Sequence, residues 1–174
     1  MTIETPPGED QGTRSQPDHT GVERDRWTPG GRFLGLDIGS RRIGFAISDE
    51  HGYIASPVGY VRRGAAEESD LLALIRRWSP LALIVGLPTG LSGREGPQAA
   101  EVRSFTEGSL RGFGLPVHYW DERMTTTIAE RALIAGGTRR SARKEQIDAM
   151  AAAVILQDYL DTERGRFARR QQRG

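Results

Sequence analysis

Three acidic positions have the residue type and the placement to hold a divalent cation: Asp37, the pair Asp121 and Glu122, and Asp148. Asp37 ends one apolar run, and a Gly-Ser-Arg-Arg turn follows before the next run begins, so the pattern reads as a hairpin whose first strand delivers a carboxylate to the end of a sheet. On a helix of 3.6 residues per turn, Asp148 shares a face with Ala152, Ile155 and Tyr159, a largely apolar side on which an unpaired carboxylate is costly. Mg2+ or Mn2+ would resolve that cost, because these cations take oxygen ligands and keep waters and phosphate oxygens in their shells. Two such ions held by shared carboxylates activate a water and stabilise a leaving oxygen in line, so the chemistry is phosphodiester hydrolysis without a protein nucleophile. Each acid also has an ordinary role open to it. Asp37 can cap a turn or pair with Arg41 or Arg42, Asp121 and Glu122 can form a strand-end turn with Arg123, and Asp148 can sit in the first turn of its helix.

Basic residues flank every one of these acids. Arg41 and Arg42 follow Asp37, Arg94 lies in a Gly-rich loop, Arg123 follows Asp121 and Glu122, and Arg139, Arg140, Arg143 and Lys144 precede Asp148. Such groups neutralise phosphates and make binding salt dependent. Formal net charge is only +1, so attraction to a polyanion must come from these local patches. Of the 24 basic residues only Lys144 is a lysine, which suits bidentate phosphate binding and equally suits a bias in genome composition. Aromatic residues make up 7% of the chain, few for stacking on single strands, so structured or duplex nucleic acid is the expected partner.

Competing chemistries find little support. The chain has no cysteine, which excludes disulfides, thiolate metal sites and cysteine nucleophiles. His19 falls in a polar arm, His51 in a tight turn and His118 inside an expected strand, where it reads as a sheet residue. No Gly-X-Ser-X-Gly elbow is present, and the segment from Gly86 to Pro97 lacks the Lys-Ser or Lys-Thr of a P-loop.

The elements that must position the acids follow from hydrophobic period. Phe33 to Ile38, Ile43 to Ser48 and Tyr53 to Val61 read as three meandering strands. Glu67 to Trp78 carries Leu71, Leu74, Ile75 and Trp78 at helical spacing, with Pro80 as a stop. Leu81 to Leu87 is a continuous apolar run fit for a strand buried on both faces. A helix is expected from about Gln98 to Leu110, a strand from Pro116 to Trp120, and a helix opened by the capping-box spacing of Thr127 and Glu130 and ending near Gly136. A last helix is expected after the basic stretch, running to about Asp161. The order is that of a layered α/β domain.

Residues 1–31 are rich in Pro, Gly, Thr and acids and read as a disordered arm, residues 32–162 as one domain, and residues 163–174 as a basic flexible tail. No apolar stretch approaches a membrane span and no signal-peptide pattern opens the chain, so a cytoplasmic protein without a membrane partner is expected.

Four ordered blocks, LGLDIGSRRIGFAISD, LIVGLPTGLSGREGP, YWDERMTTTIAERAL and IDAMAAAVILQDYL, resemble the YqgF family of Holliday-junction-resolvase-like proteins and pre-16S rRNA nucleases, over roughly Arg32 to Asp161. The resemblance implies a ribonuclease-H-like fold, a mixed five-stranded sheet with helices on both faces. It implies catalytic and metal-site acids at Asp37, in the Asp121 and Glu122 pair and at Asp148, with Mg2+ or Mn2+ as cofactor. Ser40 stands where threonine is usual, and Met124-Thr125-Thr126 where Leu-Ser-Thr is usual. The implied substrates are the precursor end of small-subunit ribosomal RNA or a four-way DNA junction; symmetric cutting of a junction would call for a homodimer. Two other readings stay open at this point: a non-catalytic module that binds nucleic acid through its arginines, and the phosphate-binding unit of a sugar kinase or actin-like ATPase, which would need a second such domain.

Overall fold

The computed structural model describes residues 30–89, 95–121 and 140–173, with side chains in the last segment from Gln146 onward. Five strands form one sheet in the order β3-β2-β1-β4-β5. β1 (Phe33–Ile38), β2 (Arg42–Ser48) and β3 (Ala55–Arg62) are the antiparallel meander; β4 (Ala82–Leu87) runs parallel to β1 and β5 (Val117–Asp121) parallel to β4. The mixed five-stranded sheet with helices on both faces, expected of a ribonuclease-H-like domain, is therefore what the chain builds. Among the described residues no helix is long and apolar enough to cross a membrane.

Strand alternation sorts the side chains into two cores. Leu34, Leu36 and Ile38 of β1 join Leu83, Val85 and Leu87 of β4 on the face covered by α1 (Glu67–Trp78) and α2 (Pro97–Phe105). Phe33 of β1 and Ala82 and Ile84 of β4 point the other way, onto α3 (Arg140–Gln171), which contributes Ala152, Ile155, Leu156, Tyr159 and Leu160. α1 carries Glu67, Glu68 and Asp70 in its first turn and Arg76 and Arg77 in its last, matching the helix dipole, and Ser79 ends it in the left-handed region just before Pro80.

Several boundaries differ from the sequence expectation, and the larger differences have local reasons. β3 starts two residues late because the Asp49 carboxylate accepts hydrogen bonds from the Tyr53 and Ile54 amides, at 2.6 and 3.0 Å, and holds those residues in a turn. α2 stops at Phe105 and widens into a π turn over Thr106–Leu110, where the Thr106 hydroxyl donates to the Val102 carbonyl at 2.8 Å. β5 extends through Asp121, paired with Leu87.

α3 shows the largest change. It begins at Arg140, inside the basic stretch expected to precede it, and continues to Gln171, so residues 163–171 are helix and not a flexible tail. Composition misled there because Glu163 is buried and Phe167 packs on the α3 core, two anchors that an arginine-rich reading overlooks. Residues 1–29 of the arm expected over 1–31, and the helix expected near Thr127, lie outside the described residues.

Candidate active site

Asp37 and Gly44 face each other in the β1–β2 register and so project on the same face of the sheet, the face that receives α3. At Gly44 the helix comes in close. A Cβ built there would lie 2.0 Å from the Asp148 carbonyl oxygen and 2.3 Å from its carbonyl carbon, and one built at Gly35 would lie 2.9 Å from the Ala152 carbonyl oxygen. Two glycines, one on each of two neighbouring strands, thus form a seam into which the α3 backbone sinks. The seam brings Asp148, well inside α3 and not in its first turn, over the end of β1 where Asp37 stands.

Asp37 is the member of this pair whose charged form is penalised. Asp37 is only partly exposed, and burial, followed by the negative charge of Asp148, raises its carboxyl from 3.8 to about 6. Arg42 supplies partial compensation: its Nη1 lies 3.6 Å from the Asp148 Oδ2, an ion-pair distance too long for a hydrogen bond. That Nη1 is buried and makes no hydrogen bond. The guanidinium is instead held over the Tyr60 ring, 4.9 Å from its centroid. Arg42, one of the two turn arginines offered as partners for Asp37, therefore pairs with Asp148, and Arg41 beside it is exposed.

Asp121 is placed differently. β5 alternates so that His118 and Trp120 face α3, with the Trp120 indole donating to Asp158 at 2.7 Å, whereas Tyr119 belongs to the α1 and α2 side. Asp121 shares the parity of Tyr119, on the sheet face opposite Asp37. There it accepts a hydrogen bond from the Thr89 hydroxyl, and Thr89 bridges to Glu95 across the base of the Gly-rich loop. The structure thus brings Asp37 and Asp148 together and engages Asp121 with that loop. Among the described residues no three acids or imidazoles gather closely enough to hold a metal ion.

Glu122, Arg123, Arg94 and Arg139 lie outside the described residues. Arg140, Arg143 and Lys144 are on the first turns of α3, with only their backbone described. His118 packs on Tyr159, ring centroids 5.8 Å apart, which agrees with a sheet residue. His51 is exposed in its turn beside Glu50.

The donor set fits a hard divalent cation. Two carboxylates share one corner, one of them raised by burial and by the other's charge, and a divalent cation held there would offset both penalties. Sequence reasoning missed the glycine seam, Tyr60 and Arg62. The first could be heard only faintly, as a glycine in the middle of a buried strand. Arg62 needed the hairpin register, since it stands directly across from Arg42.

A family model described as RuvX, Holliday junction resolvase, matches residues 31–162. A protein of Heliobacterium modesticaldum named "Putative pre-16S rRNA nuclease" is 40% identical over 134 residues, covering 76% of this chain and 90% of the relative. One of Moorella thermoacetica with the same name is 44% identical over 132 residues, covering 75% and 94%. Among solved structures, a Thermus thermophilus RuvC in complex with a Holliday junction substrate aligns with a TM-score of 0.47 and 16% identity, over 78% of this chain and 96% of that one.

Proposed function

Because the chain belongs to the RuvX, Holliday junction resolvase family, we propose that it is a metal-dependent endonuclease that hydrolyses phosphodiester bonds in structured nucleic acid. The observation that carries this reading is the approach of Asp148 to Asp37 at the Gly44 seam, two carboxylates from opposite ends of the domain sequence, with the charge of one felt at the partly buried other. Asp37, Asp148 and Glu122 would hold Mg2+ or Mn2+. Asp121 is the weaker choice for the third ligand, since it faces the other side of the sheet and is bonded to Thr89. Bound there, the cation supplies activation of a water and charge stabilisation at the leaving oxygen.

The protein's own groups do the rest. The sheet end and α3 fix two oxygen ligands on rigid elements, so their separation is set by backbone packing and not by loop motion. Partial burial of Asp37 lowers the local dielectric and strengthens its attraction for a cation. Arg42, stacked and lacking a hydrogen bond at Nη1, can offer that donor to a phosphate oxygen at this corner. Arg41, Arg94, Arg123, Arg139, Arg140, Arg143 and Lys144 are proposed as contacts to the nucleic-acid backbone.

The names of the relatives support precursor small-subunit ribosomal RNA as the substrate, and the family description supports a four-way DNA junction. Incubating the protein with each labelled substrate across a Mg2+ or Mn2+ titration tests the reading. Cuts that appear with metal and vanish with excess chelator are expected, on the RNA if the first assignment holds. A protein that retains both substrates without cutting either at any metal concentration is a binder only, and the catalytic proposal fails. A homodimer is expected only if the junction is cut symmetrically, and sedimentation with and without junction reads that directly.

A further inference from the structure

Arg42 and Arg62 stand directly opposite each other on β2 and β3. Like charges at such a cross-strand position repel, and a fold gains nothing from them without an anion between. Both lie on the α3 face, since Arg42 is two residues from Gly44 and Arg62 two from Tyr60, and Gly44 and Tyr60 are themselves paired. Tyr60 receives both guanidinium groups, at 4.9 Å for Arg42 and 5.9 Å for Arg62. Arg42 touches the acidic corner through Asp148, whereas Arg62 is exposed and makes no ion pair with any described residue. The Arg42 Nη1, buried and unbonded, leaves a donor pointing into the same corner.

We propose that Arg42, Arg62 and Tyr60 form a phosphate clamp that seats the substrate strand beside the Asp37 and Asp148 corner, with Tyr60 as the platform that holds two like charges at the spacing of the strand pair. The inference rests on the nuclease reading and deepens it by assigning Arg62 and Tyr60, neither of which the sequence singled out. Arg42 has two duties in turn: without nucleic acid it offsets Asp148, and with substrate it contacts a phosphate next to the bond being cut. Arg62 has only the second duty. The two arginines must therefore behave differently toward metal and alike toward nucleic acid.

The test uses the full chain carrying Asp37→Asn, so that substrate is held and not cut, with fluorescence anisotropy on a labelled junction and a labelled precursor RNA over a salt series. Adding Arg62→Gln is expected to weaken binding about tenfold at low salt and to flatten the log-log salt slope by about 1. Arg62→Lys restores the slope but only part of the affinity, because charge returns without the planar fork. Tyr60→Leu is expected to weaken binding through loss of the platform with every arginine intact. Separately, Mn2+ titration without nucleic acid, in the background that keeps Asp37, should show tighter binding for Arg42→Gln and no change for Arg62→Gln. A protein that binds either substrate with the same slope after Arg62→Gln overturns the clamp and leaves the nuclease reading standing. Failure of the Asp37→Asn parent and of the native chain to bind either nucleic acid overturns both.

Discussion

Asp37→Asn abolishes cleavage and, in the metal-free protein at neutral pH, raises the thermal midpoint. The first effect should exceed the roughly 10–100-fold loss that removing even an outer-shell partner of a metal site causes. The second follows from proton linkage. The folded carboxyl titrates at about 6 and the unfolded one at 3.8, burial being the larger cause and Asp148 the smaller. Between those values the unfolded chain has already released its proton while the folded one still holds it, so metal-free stability falls as pH rises from about 3.8 to about 6, then levels. At 1.36 kcal/mol per pH unit the penalty is on the order of 3 kcal/mol as an upper figure, which an uncharged Asn does not incur. Melting curves in chelator at several pH values between 4 and 8 should show the native protein losing stability across that window and the variant keeping it.

Cation binding adds a second arm to this result. At the proposed site a divalent ion would compete with the proton for Asp37, so added Mn2+ should stabilise the native protein most above pH 6 and the variant hardly at all. Cleavage should rise with pH through the same region and its inflection should move down as Mn2+ increases. An Asp37→Asn protein that melts lower than the native chain in chelator, or that still cuts, contradicts the placement of Asp37 in a desolvated, ion-holding corner.

Gly44→Ala should disable the enzyme from a position that carries no chemistry. Its new Cβ would sit 2.0 Å from the Asp148 carbonyl oxygen, a contact that only backbone movement can relieve. Overpacking of this kind costs typically about 1–3 kcal/mol and sometimes more. The movement lifts α3 off β2 at Asp148, so the separation of the two carboxylates opens and the metal concentration for half-maximal cleavage rises. Gly59→Ala is the matched control on the neighbouring strand. Its Cβ would meet the Phe45 ring at 3.4 Å, an ordinary contact, and stability should change by less than about 0.5 kcal/mol. A Gly44→Ala protein with native metal dependence would show that the seam does not set the geometry of the site.

Much of this molecule was legible in residue order because its signals are local. Short apolar runs bounded by Gly, Pro and acid clusters mark β1, β2 and β4, and a helical stripe ended by Pro80 marks α1, so these elements appear in sequence with bounds that differ by a residue or less in the structure. Asp37 at the end of an apolar run and Asp148 among small apolar neighbours are recognisable for the same reason: burial makes a lone carboxylate conspicuous. Asp148 shares its helix face with Ala152, Ile155 and Tyr159, all buried as the helical period required.

What only the tertiary structure decided depends on contacts between distant segments. Whether Asp121 faces Asp37 turns on the parity of β5 against β4, and a shift of one residue would reverse it. The basic C-terminal stretch is helix because Phe167 reaches a core built mainly from β1, β4 and the middle of α3, which no local composition could reveal. Gly44 matters because of a backbone 104 positions away in sequence, and Arg62 because a hairpin register sets it across from Arg42. Local sequence specifies which residues are able to carry charge, metal or phosphate, while packing between strands and α3 determines which of them meet, since a carboxylate's chemistry depends on what lies within a few ångströms of it.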